Sequence, residues 1–227
     1  MPAYTFRADG TKANGAAPIS PGAPAGVVAG DLLLIATTCR PNASTLTTPT
    51  GWSVLKTNDA ETENGATLLG RIADGGANDT PTISWSTGNS SAQIAAFSGD
   101  VYTDLATIVA HSAAAASTSN TVDIPNPAIT ITTDNCLVIG VAKKRKTATS
   151  NGATVTSPTG LNNRIGLDWQ GGSLTTLVWD YTQQTTATNI SASIWNQSVE
   201  ESLPYSSLIV ALKTAATLDP IRLIWRV

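Results

Sequence analysis

The sequence runs through one series of short segments twice, and this limits the fold more than any other feature. The first series reads GDLLLIATTC (Gly30–Cys39), TTPTGW, WSVLKT, ATLLGRIA, PTISWS and AQIAAFSG. The second reads CLVIGVA (Cys136–Ala142), TSPTGL, SLTTLVWDY, NISASIW and SSLIVALK. Asn135 stands where Asp31 stood, 104 residues on; Gly160 follows Gly51 by 109, and Leu208 follows Ile94 by 114. The drift places insertions in loops, where added length costs little. Order, spacing and apolar pattern agree over five elements, so the chain is expected to be an internal duplication with half-repeats of about 27–100 and 128–213.

The segments themselves read as strands. Each is a short alternating or continuous apolar run bounded by Gly, Pro, Asn or Ser. GDLLLIATTC has the unbroken apolarity of a strand covered on both faces. Thr-Pro-Thr-Gly, used at both Pro49 and Pro158, predicts a type I turn with Pro second and Gly fourth. Thr107–Ser119, TIVAHSAAAASTS, is alanine-rich but lacks helix caps and predicts an extended segment. The two prolines of NTVDIPNPAITITTDN confine it to an edge or a connector.

No charged or Gly/Ser linker separates the halves, and a five-stranded half alone buries little surface. The expected fold is therefore all-β: a single jelly-roll-like β-sandwich over residues 1–216 with pseudo-twofold symmetry. Residues 217–227 fall outside the repeat. There Ile221, Leu223, Trp225 and Val227 alternate with Arg222, Ile224 and Arg226. This is either a last strand packing within the chain or an arm that pairs with another subunit, which makes those four residues the candidate subunit interface.

Chemistry is sparse. Charged residues make up 13% of the chain and the net charge is −3, which gives no general attraction to nucleic acid or anionic membrane. MPAYTFRADGTKANG has no apolar core of a signal peptide, and no run reaches the ~18 apolar residues of a membrane helix. A soluble chain folding in a reducing cytoplasm is expected, with Cys39 and Cys136 as buried free thiols. His111 is the only histidine, and no zinc, phosphate-loop, dinucleotide or nucleophile-elbow motif is present. Asp59, Glu61 and Glu63 have calcium-loop spacing, but Gly65 comes one position late and Gly70 stands where the final Glu belongs. Adjacent Glu200 and Glu201 would point to opposite faces of a strand. The expectation is no catalytic, metal or cofactor site.

Two features point to surfaces instead. Lys143, Lys144, Arg145 and Lys146 form the one dense run of charge, a candidate partner-binding loop for an acidic surface. Of the six tryptophans, Trp85 and Trp195 lie within matching strands and read as sandwich core or inter-strand packing. Trp169, in DWQGG, is the candidate exposed ring for a glycan.

The repeated series, with its TPTG and SPTG turns and its LIVALK close, resembles the small β-sandwich virion-associated proteins of tailed bacteriophages, of capsid decoration (cement) or tail-appendage type. The resemblance covers about Gly30–Lys213 and rests on packing and turn motifs, so no functional residue carries over. It implies a non-enzymatic virion protein made and assembled in the bacterial host cytoplasm. First among such roles is a capsid decoration protein that bridges shell subunits. Its expected partners are other copies of itself, a trimer being favoured, and the major capsid protein. The alternative is a tail or fibre component with a carbohydrate-binding sandwich, using Trp169.

Overall fold

Threonine and β-branched apolar residues dominate the repeated segments, and these side chains suit a pleated, covered surface better than a helix. The computed structural model describes residues 4–40, 44–61, 64–145, 154–168, 176–198 and 203–215. The first half contains β1 (Tyr4–Asp9), β2 (Ala13–Ala16), β3 (Leu32–Arg40), β4 (Leu46–Thr47), β5 (Ser53–Glu61), β6 (Asn64–Ile72), β7 (Ser84–Trp85) and β8 (Asn89–Gly99). The second contains β9 (Val109–Thr121), β10 (Ile124–Asn126), β11 (Cys136–Lys144), β12 (Val155–Thr156), β13 (Asn163–Asp168), β14 (Leu177–Gln184), β15 (Ser193–Gln197) and β16 (Leu203–Leu212). Among the described residues the only helical element is one 3-10 turn, Ala77–Asp79. The Ala-rich segment is strand β9, and the proline-bearing β10 is an edge strand of a small sheet, both as the sequence predicts.

The chain is an all-β sandwich, and each half supplies one whole sheet. The first sheet has the antiparallel order β1-β8-β3-β6-β5, with β2 also on β8; the second has β9-β16-β11-β14-β13. Element by element the orders are the same, β9 standing for β1 and β2 together. Even the irregularities recur. A bulge between Val54 and Lys56 in β5 matches one between Arg164 and Gly166 in β13. The extra residues, Leu55 and Ile165, both enter the central core.

Three hydrophobic clusters follow. The central one lies between the sheets and includes Leu32, Leu34 and Ala36 of β3 against Leu137, Ile139 and Val141 of β11. Phe6, Phe97 and Tyr181 stack within it, Phe6 lying nearly parallel to Tyr181 with ring centroids 5.5 Å apart. Each sheet's outer face has its own cluster under a small sheet. In the first half, β4 and β7 with Ile19 and Trp52 cover Leu33, Ile35 and Ile94. In the second, β10, β15 and β12 with Leu161 cover Val138, Val178 and Ile209. The small sheets repeat too. Thr45 and Ser86 exchange a backbone bond and a hydroxyl bond, each 2.9 Å, and Thr154 and Ser198 make the same pair.

This geometry corrects the alignment by one residue at two places. Leu32 pairs with Phe97 as Leu137 pairs with Leu212. Leu32 is thus equivalent to Leu137, a spacing of 105, and Gln93 to Leu208, a spacing of 115. Ile94 faces the outer cluster while Leu208 faces the central one. A one-residue slip exchanges the faces of a strand. Here both faces are apolar, so hydrophobicity does not fix the phase. Backbone chemistry does: Gly30 at φ 95° and Asn135 at φ 55° are the equivalent pair, and Gly and Asn are the residues that tolerate the left-handed region.

The repeated turn is also one residue later than predicted. The Trp52 amide donates to Pro49 O and that of Leu161 to Pro158 O, each at 3.1 Å. Proline therefore comes first and glycine third, with φ 78° at Gly51 and 92° at Gly160. Positive φ at the third position is a type II turn. The two tryptophans of the matching strands are not equivalent: Trp85 lies opposite Leu46, and the residue at that place in the second half is Gln197, opposite Val155.

Polar groups stitch the sheets across the central core. Trp179 Nε1 donates to Gln93 Oε1 at 3.0 Å, and Gln93 Nε2 donates to Asp9 Oδ2 at 2.6 Å. Asn58 Nδ2 donates to the Ala115 and Ser207 carbonyls at 2.9 and 2.8 Å. A Cβ on Gly166 would stand 1.7 Å from Gln93 Oε1 and 2.7 Å from Trp179 Nε1. Gly166→Ala is expected to cost about 2–3 kcal/mol by overpacking and loss of a buried hydrogen bond. Urea unfolding checks this against Gly70→Ala, where the new methyl meets the movable end of Leu55 at 2.8 Å and about 1 kcal/mol is expected.

Candidate functional site

The lysine run does not form a surface patch. Strand β11 continues through Lys144, and Lys143 and Lys144 are both 0% exposed. Alternation sends them to opposite faces. Lys143 Nζ crosses the central core to Cys39 O at 2.5 Å. Lys144 Nζ donates to Val122 O on the outer side. Arg145 is half-buried, and its amide bonds Pro204 O at 3.1 Å; Lys146 lies outside the described residues. The reading of this run as a partner-binding loop is therefore corrected for Lys143 and Lys144: they end an apolar strand inside the sandwich, where their ammonium groups find carbonyl partners. Trp169, the tail residues Ile221, Leu223, Trp225 and Val227, and Glu63, Glu200 and Glu201 also lie outside the described residues.

His111 has a structural partner. Its Nε2 accepts the Thr132 amide at 3.2 Å. Among the described residues no three metal-ligating side chains come together. Cys39 and Cys136 are buried thiols, not joined in a disulfide, at opposite ends of equivalent strands. Burial pushes both up to about 11 from 9.0, partly opposed at Cys39 by Lys143 and reinforced at Cys136 by Asp134.

What remains distinctive emerges from comparing the halves, since one serves as a control for the other. In the first half an open groove of about 280 Å3 lies between β4 and the outer face of β5 and β6. It is lined by Ser44, Thr45, Leu46, Thr48, Val54, Thr57, Asp59, Gly65, Thr67 and Trp85. Val54 is 47% exposed at its edge. Trp85 forms part of the wall, its Nε1 tied to Thr37 Oγ1 at 3.2 Å. Thr57 and Thr67 are opposite each other, hydroxyl to hydroxyl at 3.0 Å.

In the second half the described residues at the corresponding place differ. Val54 opposite Leu69 becomes Arg164 opposite Asp180. Arg164 Nε donates to Asp180 Oδ1 at 2.6 Å, and Nη2 reaches Val155 O and Ser157 Oγ at 2.9 and 3.1 Å. Asp180 is wholly buried and also accepts Ser157 Oγ and Trp195 Nε1, each at 2.6 Å. Among the described residues, an ion pair with a buried carboxylate thus stands where the first half has Val54 and Leu69.

The sheet edges differ as well. In the first half the edge is broken between β1 and β2, bulged between Phe6 and Ala8, and carries Arg7, Asp9 and Lys12. Both β5 and β13 are bulged. By contrast, His111–Ser117 of β9 pairs with Ala211–Tyr205 of β16 without a register shift. Its sequence, HSAAAAS, has no proline, lysine or carboxylate. Among the described residues no strand pairs with its other side.

Two outcomes are expected. Arg164→Ala leaves a buried carboxylate short of its cation and should cost about 2–3 kcal/mol, whereas Val54→Ala should stay within about 0.5 kcal/mol, both read from chemical denaturation. Cys39 and Cys136 should resist Ellman's reagent at pH 8 until the chain is unfolded. Because their folded pKa values are raised, the stability they contribute is complete below pH 9 and falls as pH rises towards 11; denaturation midpoints across that window check the sign.

Comparison with models of protein families, with characterised proteins and with solved structures finds no match to this chain.

Proposed function

We propose that the chain is a non-enzymatic structural protein of a bacteriophage virion, a capsid decoration protein that self-associates through the free edge of β9 and in that form bridges subunits of the shell. The carrying observation is the contrast among the four outer strands of the sandwich. Three are bulged, broken or charged, which are the ways a protein blunts an edge against pairing. The fourth, β9, also shifts register, between Val109 and His111 and between Ser117 and Thr121, but the seven residues His111–Ser117 run without a shift and carry no proline, lysine or carboxylate. An unguarded regular edge invites strand addition, in which main-chain bonds supply affinity.

Residues 217–227 are the proposed donor. Lys213, at the end of β16, bonds through its amide to Ile108 O at 2.9 Å, beside the start of β9. Thr214 and Ala215 then pair with Val101 and Asp100, so the last described residues lie beside the connection between β8 and β9. The alternation of Ile221, Leu223, Trp225 and Val227 suits a strand with one covered face. The resemblance to phage decoration proteins supports the virion as the setting, the major capsid protein as the partner and a trimer as the assembly. No step of this role needs a cofactor.

The reading is tested by mass photometry and by binding to phage shells. Wild type is expected to be oligomeric and to bind. Ala114→Lys, a charge placed at an exposed position on the free edge, and deletion of 217–227 are each expected to shift the mass to the monomer and weaken shell binding at least about tenfold. A monomeric wild type, or two variants that assemble and bind as wild type does, would remove the proposal.

A further inference from the structure

We propose that the groove of the first half binds a single neutral sugar ring. This does not depend on the role of β9 and uses a different face of the molecule.

The sandwich does not require the groove's lining. Val54, Thr67 and Trp85 have as their structural counterparts Arg164, Val178 and Gln197, which take the same register in the second sheet with different side chains. The first half has an open space there with hydroxyls set in it. At about 280 Å3 it falls at the lower end of small-molecule clefts, which run to roughly 300–1,000 Å3, so it suits one ring rather than a long chain.

The chemistry of the walls narrows the class. Five lining residues end in hydroxyls, while Leu46, Val54 and Trp85 provide an apolar side. A pyranose has this same division, with hydroxyls around its rim and C–H groups on its faces. Thr57 and Thr67 bond each other and Ser44 bonds Thr87, yet each hydroxyl oxygen keeps a further lone pair that a sugar hydroxyl can use and a purely apolar ligand cannot. An anion finds no cation among the lining residues and meets the Asp59 carboxylate. The Trp85 indole is held in place by its bond to Thr37 and offers the ring a fixed edge.

The test is saturation-transfer NMR with D-glucose, D-galactose and N-acetyl-D-glucosamine as probes and sorbitol as an acyclic control. At least one of the three sugars is expected to receive saturation, and sorbitol not. Val54→Arg, which introduces the side chain found in the second half at an exposed position, should reduce that signal about tenfold or more. Thr67→Val removes one hydroxyl at nearly constant shape and should reduce it about threefold or more. Near-UV circular dichroism confirms that each variant keeps its fold, and if Val54→Arg does not fold, Thr67→Val decides. Transfer to none of the three sugars, equal transfer to sorbitol, or undiminished transfer in a folded variant would overturn the assignment.

Discussion

Strands β3 and β11 are covered on both faces, and most of the architecture answers that constraint. A strand reading LLLIATTC has no side it can show to water. One apolar face is covered by the other half of the chain, which brings β3 against β11 across the central core. The other face needs a second cover, and each half supplies it from its own connections as a two- or three-stranded flap. The Pro-Thr-Gly turns follow from this requirement: they redirect the chain from the flap back to the main sheet, and place Trp52 or Leu161 in the outer cluster. The result has four layers, although the sequence suggests two.

Polar atoms inside such a stack must be satisfied there. Gln93, Asn58, Thr38 and Lys143 all bond across the central core, three of them to backbone carbonyls of the opposite half. These contacts differ from one side of the pseudo-twofold to the other, whereas the apolar contacts nearly repeat. Apolar packing thus defines the shared plan, and polar pairing individualises each half. The Arg164–Asp180 ion pair and the open groove beside Val54 are the clearest case.

How much of this could be read from the sequence depends on whether a residue's surroundings are local. Strand positions, the duplication, the extended nature of the Ala-rich segment and the buried thiols were all legible, because periodicity and turn residues carry them. The phase of the repeat was not. Runs such as LLLIATT and CLVIGVA are apolar at every position, so matching by hydrophobicity cannot tell Asn135 aligned on Asp31 from Asn135 aligned on Gly30. The left-handed backbone at Gly30 and Asn135 was the available signal. The burial of Lys143 and Lys144 was hidden for a related reason. Charge in sequence implies water, and only the opposing sheet reveals carbonyls waiting for those ammonium groups. The groove was invisible too, because its lining comes from residues 44–85 and is defined by what the second half has in its place.

The connection between β8 and β9 has one more consequence. Residues 100–108 join two halves that each contribute a complete sheet, so the central core is in effect a dimer interface closed within one polypeptide. A tether this short holds the second sheet near the first at an effective concentration of order millimolar. Formation of the sandwich is therefore insensitive to dilution, and neither half has to find its twin among other molecules. Identical copies would be bound to one another's symmetry; fused ones are not. The covalent link is what allowed one half to set an arginine where the other has a valine beside an open groove.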